Sequence, residues 1–131
     1  MATQNIRRNI SGSAQTAVAS GTSATVVWAD PTNWSIAGGY VVTVEVIVVG
    51  MGVSTEKVDV YYRREVFKWD EPDALPVGVG ALVAATVVEE DTLWDAHVAL
   101  NVKNLEIHTI GDAVELVNWT WSGTITAQSV Q

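Results

Sequence analysis

Two long runs of β-forming residues, YVVTVEVIVVG and EKVDVYYRREVFKW, fill most of the segment from Tyr40 to Trp69 and are separated only by MGVST. Both runs are rich in Val, Ile and aromatic residues, which favour strands, and a short Gly/Ser/Thr connection is typical of a β-hairpin. The sequence therefore predicts a hairpin of two unusually long strands. This pattern constrains the fold far more than the function, because it contains no catalytic signature.

Shorter β-forming runs flank the hairpin and are separated by turn residues. Two precede it, at Gln15–Ala19 and Ala24–Trp28, and four follow it, at Ala81–Glu89, Leu93–Val102, Leu105–Ile110 and Ala113–Ala127. No helical period of 3.6 residues is sustained for three turns. About eight strands is the number expected of two packed sheets. The 131 residues therefore predict one all-β domain, a β-sandwich of jelly-roll type.

The N-terminal segment is polar and contains Gly and Ser near its end. Residues 1–14 are therefore predicted to form a short arm, which is either mobile or ordered by contact with a neighbouring molecule. The β-sandwich domain is then expected to span residues 15–131.

Alternation along the strands predicts which side chains form the core. One face of Leu93–Val102 carries Trp94, Ala96, Val98, Leu100 and Val102, and one face of the last strand carries Val117, Trp119, Trp121 and Ile125. Val114 and Leu116 have the opposite parity, which predicts a bulge near Glu115–Val117 or a strand covered on both faces. The strand Tyr40–Val49 is apolar on both parities. Its second face is therefore expected to be covered by another subunit, unless the strand is simply the central strand of a well-wrapped sheet.

Composition excludes several classes of protein. Fifteen acidic and seven basic residues give a formal charge of −8, the opposite of what a nucleic-acid-binding surface needs. The absence of cysteine excludes a disulfide framework and a thiol nucleophile. The longest apolar run is too short to span a membrane, and the N-terminus lacks the layout of a secretory signal. We expect no nucleic-acid or membrane partner, and a protein that stays in the cell or leaves it by lysis.

The candidates for catalysis or metal binding are few. His97 and His108 lie on adjacent predicted strands and could face each other, but their spacing matches no metal motif. Acidic residues are grouped at Asp70–Asp73 and Glu89–Asp91, where solvated strand ends are the ordinary explanation. No G-x-S-x-G nucleophile elbow is present. The sequence predicts no enzyme, no metal and no cofactor.

Six tryptophans are the one compositional excess that suggests binding. Large aromatic side chains fill the core and the subunit contacts of β-sandwiches, and they also form stacking platforms for sugar rings. Trp34 and Trp69 each lie beside a loop rich in turn residues. Together with Tyr40 they form the candidate platform for a host glycan.

The pair Arg63–Arg64 is unusual because alternation sends one guanidinium to each face of the strand. One of the two must therefore lie toward the core or at a partner. A buried Arg needs a carboxylate or carbonyl partner, because an unpaired buried charge costs several kcal/mol. Glu45 on the neighbouring hairpin strand and the run Glu89–Asp91 are the acidic candidates for that role.

The order of these segments resembles a domain of small virion structural proteins of tailed bacteriophages, including capsid decoration and head-fibre-like proteins. The resemblance covers roughly residues 39–130. It rests on the YYRR strand, the acidic residues Glu89, Glu90 and Asp91 before Trp94, and the ending Thr109–Ala113 with Val117 and Trp119. The sequence departs from the usual pattern at Ile110 and in the acidic loop Trp69–Pro76.

The resemblance implies a non-enzymatic part of a phage particle, assembled in the host cytoplasm and located on the outer capsid surface. A homotrimer bound to the major capsid protein and reinforcing capsomer contacts is the expected form. The capsid contact is assigned to Asn5, Ile6, Arg7 and Arg8, and the subunit interface to Tyr62, Arg64 and Trp69. The alternative is a tail-fibre or head-spike module that binds a glycan receptor through Trp34, Tyr40 and Trp69.

Overall fold

The computed structural model describes residues 5–18, 22–28, 40–69, 77–79, 83–102, 104–112 and 114–129. These residues form nine strands and no helix. The strands are β1 (Asn5–Thr16), β2 (Thr22–Trp28), β3 (Tyr40–Gly52), β4 (Val58–Trp69), β5 (Val77–Gly78), β6 (Val83–Glu89), β7 (Asp95–Asn101), β8 (Asn104–Ile110) and β9 (Val117–Ser129). None of the described residues forms a helix long and apolar enough to cross a membrane.

The strands form two antiparallel sheets. The larger has the order β1-β9-β3-β4, with β5 and β6 both pairing with the far edge of β4, and the smaller has the order β2-β8-β7. The predicted hairpin is present as β3 and β4, which pair from Tyr40↔Trp69 to Met51↔Val58. The prediction of a single all-β domain with two packed sheets is confirmed. The jelly-roll type stays a prediction.

The core lies between the two sheets. The buried side chains of β3 are Val42, Val44, Val46 and Val48, and those of β9 include Trp119, Trp121 and Ile125. These pack against residues of the smaller sheet that include Ala96, Leu105 and Ile107. Alternation therefore predicted the core face of the last strand and of the first half of Leu93–Val102 correctly.

Two positions differ from that prediction. Val102 is 71% exposed and has a φ of 57°. It lies in the turn between β7 and β8, where the strand alternation has already ended. Val114 is 79% exposed, and the residues Val114–Leu116 precede β9 rather than belonging to it. The change of parity near Glu115 therefore marks the end of a loop, and the predicted bulge is not needed.

Most of the predicted N-terminal arm is instead a strand of the larger sheet. Asn5–Thr16 pairs with β9 without interruption from Asn5↔Gln128 to Thr16↔Val117. The inward-facing Ile6, Ile10 and Ala14 pack against the core, which gives this polar segment its place in the fold. The assignment of residues 5–14 to a separate arm is therefore corrected to an edge strand. Residues 1–4 lie outside the described part of the chain.

Candidate functional site

The larger sheet has one face turned away from the smaller sheet, and this outer face is the candidate binding surface. Every second residue of β1, β9, β3 and β4 lies on it. Its members on β1 and β9 are polar, and we call them the polar half: Arg7, Asn9, Ser11, Ser13 and Gln15 on β1, and Asn118, Thr120, Ser122, Thr124 and Thr126 on β9. Gln15 donates a hydrogen bond of 2.8 Å to Asn118 within this half.

Strand β4 has an unusual distribution of charge between its two faces. Tyr61 and Phe67 are 1% exposed and Asp59 is fully buried, so this parity of β4 points toward the core side. The residues of this parity are Asp59, Tyr61, Arg63, Glu65 and Phe67. The opposite parity then places three valines and Tyr62 on the outer face, together with Arg64 and Lys68. The core side of this strand is thus more polar than its solvent side.

Most outward residues of β3 and β4 are apolar, and we call these the apolar half of the outer face; the polar exceptions are Thr43, Glu45, Arg64 and Lys68. It consists of Val41, Ile47, Val49, Met51, Val58, Val60, Tyr62 and Val66, and it continues onto β6 through Val83 and Val88. Exposed apolar groups of this extent are a feature of many interaction sites. The two halves of the face meet between β9 and β3.

A shallow depression of about 330 Å³ lies at this boundary. Its lining includes Arg7 from β1, Glu45 and Ile47 from β3, Tyr62 from β4 and Ser122 and Thr124 from β9. The Tyr62 hydroxyl donates a hydrogen bond of 3.0 Å to Oε2 of Glu45. This bond raises the pKa of Tyr62 above its ordinary value, because it stabilises the protonated hydroxyl. The depression offers a guanidinium, a carboxylate, hydroxyls and an apolar floor to a ligand.

The structure brings together residues that the sequence assigned to different sites. Arg7 from the predicted capsid contact and Tyr62 from the predicted subunit interface both line the depression. Arg64 is exposed on the same face, two residues from Tyr62 on β4. Asn5 is exposed at the start of β1, whereas Ile6 packs against the core. The neighbouring Arg8 has the inward parity of Ile6 and is exposed.

The candidate glycan platform is only partly described. Trp34 lies outside the described residues, and so do the side chains of Tyr40 and Trp69. The backbones of Tyr40 and Trp69 are direct partners in the β3–β4 pairing. The stacking role of the three residues stays a prediction.

The buried arginine of the YYRR strand is Arg63. Its Nε donates to the carbonyl of Ala96 at 2.7 Å, and its Nη1 donates to the carbonyl of Ala85 at 3.0 Å. Its Nη2 lies 3.2 Å from Oδ1 of Asp95, and the guanidinium sits 5.0 Å from the centre of the Tyr61 ring. Arg63 therefore joins β4, β6 and β7 through one side chain.

This arrangement corrects the predicted partners of the arginine pair. The buried guanidinium binds neither Glu45 nor the run Glu89–Asp91. Glu45 lies on the outer face, directly across from Arg64. Carbonyl groups and the half-exposed Asp95 take that role. The expectation that a buried arginine needs such acceptors is met by Arg63.

Buried carboxylates hold the loops at one end of the sandwich. Oδ1 of Asp59 accepts hydrogen bonds from the backbone N–H groups of Glu90 and Asp91 at 2.8 and 3.0 Å. Its Oδ2 lies 2.6 Å from the Tyr61 hydroxyl, which donates to it. Burial and this bond raise the pKa of Tyr61. Asp59 thereby fixes the turn that follows β6.

Asp112 and Glu115 organise the neighbouring loops in the same way. Asp112 accepts from the backbone N–H of Val114 at 2.9 Å and from Nε1 of Trp94 at 3.1 Å, and the Val114 bond is the main reason that the pKa of Asp112 is lowered. Burial raises the pKa of Glu115, but hydrogen bonds from Thr55 and Ser54 outweigh it and lower the pKa overall.

These carboxylates do not form a metal site. Asp91, Asp112 and Glu115 line a cavity of about 450 Å³, but each accepts a hydrogen bond from a backbone N–H group. Asp91 also forms an ion pair of 3.6 Å with Lys57. No group of three or more His, Cys, Asp or Glu side chains within the described ranges is placed to hold a metal ion. The carboxylates that line this cavity therefore hold the loops at one end of the sandwich.

The two histidines face each other, as their predicted strand positions indicated. His97 and His108 are direct partners in the β7–β8 pairing, and their ring centres are 5.2 Å apart. Burial, followed by the proximity of His108, lowers the pKa of His97. Nε2 of His108 lies 2.9 Å from Oε1 of Glu106 and is the main cause of the lowered pKa of Glu106. The pair forms a polar contact within the smaller sheet.

Comparisons with known proteins do not place the chain in a family. No family model and no curated protein matches it. Among solved structures, the crystal structure of the tailspike protein of Acinetobacter baumannii phage AM24 is similar, with a TM-score of 0.41 and 10% sequence identity. The match covers 93% of this chain and 26% of the tailspike chain, so the chain spans about a quarter of that protein's length. A likeness of this size carries no argument about function.

Sequence reasoning missed two features of the site. The sequence did not predict that Ser122 and Thr124 line a depression, because small hydroxyl residues are common on any exposed strand. The buried role of Asp59 had a visible signal, since Asp59 has the same parity as Tyr61 and Phe67. A charged residue at a core position of a strand is expected only where it is hydrogen-bonded.

Proposed function

We propose that the chain is a bacteriophage virion structural protein that acts by binding and not by catalysis. In its specific form it is a capsid decoration protein, a homotrimer that binds the major capsid protein on the outer shell and reinforces the contacts between capsomers. The observation that carries the proposal is the outer face of the larger sheet, where an extended apolar half adjoins a polar half that contains Arg7.

A face of this kind suits a protein that holds other subunits together. Apolar groups supply the burial that drives association, and polar groups around them set the register of contact. Three capsid subunits that meet at a local three-fold axis present three equivalent sites to a trimer, so weak single contacts combine by multivalency. Assembly in the host cytoplasm agrees with a chain that contains no cysteine.

The test is to locate the protein in the virus particle. Antibodies raised against the purified protein are applied to purified virions of the phage whose genome encodes it, and gold labels are counted by electron microscopy. We expect label distributed over the head. Label confined to the tail would overturn the decoration role and favour a receptor-binding module. If the virions carried no label and mass spectrometry did not detect the protein in them, the virion role itself would be overturned.

The depression on the outer face favours a second candidate function, the binding of an acidic saccharide as a host receptor. Its volume lies at the lower end of the range for small-ligand sites. The Arg7 guanidinium suits a sugar carboxylate. Glu45, Ser122 and Thr124 suit sugar hydroxyls, and Ile47 offers an apolar surface to the ring.

Titration with glucuronic acid, followed by NMR chemical shifts, tests this second function. We expect saturable binding to the wild-type protein, no binding of glucose, and at least about tenfold weaker binding to Arg7→Ala, because the charge-assisted hydrogen bonds are lost. Lys57→Ala is the matched control, since Lys57 lies in the loop before β4, and it should bind like the wild type. Equal binding of glucose and glucuronic acid would exclude the role given to Arg7.

A further inference from the structure

We infer that a second copy of this chain covers the apolar half of the outer face, so that copies of the protein associate through β3, β4 and β6. The inference rests on the proposed function and names the surface that builds the oligomer. It places the Tyr62 and Arg64 assignments on one surface, together with the second apolar face of β3 for which the sequence left another subunit as one possible cover.

Apolar side chains are exposed together on β3 and β6. Ile47 and Met51 on β3 are 46% and 47% exposed, and Val83 and Val88 on β6 are 41% and 42% exposed. Between them lie the half-buried valines of β4. The seven residues of β6 are all exposed, although five of them are Val or Ala. Such a strand is not protected from association by charge, as exposed edge strands usually are.

Strand β4 is unusually apolar on its outer side. It points Asp59, Arg63 and Glu65 toward the core side. Four of its six outward residues are Val or Tyr, and the other two are Arg64 and Lys68. A strand that faced water on that side would be mainly polar there. The outward valines are explained if the outer face is itself the inside of an assembly.

The area of this face is also close to that of a protein interface. Neighbouring strands are about 4.8 Å apart and residues rise about 3.3 Å along a strand. Strands β3 and β4 are therefore about 40 Å long and the shorter β6 about 23 Å, so the three cover roughly 500 Å² in projection. A stable protein interface buries about 800 Å² on each partner. With the relief of its side chains the face approaches this scale, which isolated exposed residues do not.

The distribution of charge favours a second copy as the occupant. The whole chain carries −8, so two copies repel each other through most surfaces. Among the described residues, the outer face carries Arg7, Arg64 and Lys68 together with the single acidic Glu45. Copies that meet here avoid the acidic end of the sandwich, and Glu45 of one copy can pair with a basic residue of the next.

The experiment compares lysine substitutions inside and outside the apolar half. The mass of wild type, Ile47→Lys, Met51→Lys and Leu93→Lys is measured by light scattering over a hundredfold dilution series. Leu93 is the matched control, because it is 69% exposed and lies in the turn before β7, away from the face. Urea unfolding of each variant shows that it is folded.

We expect the wild type and Leu93→Lys to form the same oligomer, and each substitution on the face to weaken association at least tenfold. Folded Ile47→Lys and Met51→Lys proteins with the wild-type mass would overturn the inference, and so would a wild-type monomer. Equal loss of mass in Leu93→Lys would also overturn it. Labelling of virions is independent of this result, so a failed interface and a failed virion role are distinguishable.

Discussion

Replacing Gly123 by alanine is expected to lower the free energy of unfolding by about 3 kcal/mol or more. Gly123 lies in the middle of β9 and is the direct partner of Val46 on β3. An added Cβ would overlap the carbonyl oxygen of Glu45 and would lie 2.7 Å from the Cα of Val46. These atoms belong to the backbone of a central strand, so no side chain can turn aside to make room.

Urea unfolding followed by tryptophan fluorescence measures this effect. Gly78→Ala is the matched control, because the nearest heavy atom to a Cβ at that position is 4.0 Å away. The control should stay within about 0.5 kcal/mol of the wild type. If the two substitutions changed the unfolding midpoint equally, the close approach of β9 and β3 at Gly123 would be refuted.

Replacing Arg63 by methionine is expected to cost about 3 kcal/mol of unfolding free energy. The change leaves the buried carbonyl of Ala96 without its 2.7 Å donor, and it removes the guanidinium from Asp95 and from the face of the Tyr61 ring. Methionine fills much of the volume but donates no hydrogen bond. The contact between β4 and β7 depends most on this side chain.

The neighbouring arginine is the control for this substitution. Arg64 is exposed on the outer face, so Arg64→Met should change the free energy of unfolding by about 0.5 kcal/mol or less at a fixed protein concentration. Both variants are unfolded in urea under the same conditions. A larger loss in Arg64→Met than in Arg63→Met would show that the strand has the opposite facing, and it would remove the basis for the apolar half.

Alternation was sufficient to place much of the core. Val117, Trp119, Trp121 and Ile125 are all buried as their spacing predicts. These strands have polar residues on one parity and apolar residues on the other, so the buried face is unambiguous. Val102 escaped the prediction because a turn, unlike a strand, does not preserve parity.

The buried face of strand β4 could not be predicted from the sequence. Both of its parities contain apolar and charged residues, so alternation alone cannot decide which face is buried. The answer depends on the acceptors that other strands bring to Arg63 and on the backbone N–H groups that meet Asp59. A charged residue is stable at a core position only with such partners, and those partners are distant in the sequence.

Four of the residues behind the phage resemblance belong to the same buried network. Their hydrogen bonds connect strands and loops of the core: Arg63 donates to the carbonyl of Ala96, Asp91 accepts from the backbone N–H of Leu93, and Trp94 donates to Asp112. None of these four residues, Arg63, Asp91, Trp94 and Asp112, lies on the outer face. The resemblance therefore reflects how the domain is held together. Tyr62 and Arg64 of the YYRR strand are the exception, because they lie on the outer face and belong to the proposed interface. The other residues proposed to bind a partner lie at positions where many polar or apolar side chains would be compatible with the fold.

The sequence by itself determined the all-β class, the long hairpin, the core face of β9 and the exclusion of cysteine chemistry, because residue type and a period of two are local properties. Only the tertiary structure decided that residues 5–14 form an edge strand, that Arg63 is the buried arginine, and that Arg7, Glu45 and Tyr62 meet at one depression. Those outcomes depend on which strands are neighbours. Neighbour choice is set by packing and hydrogen bonding between segments that are far apart in the chain.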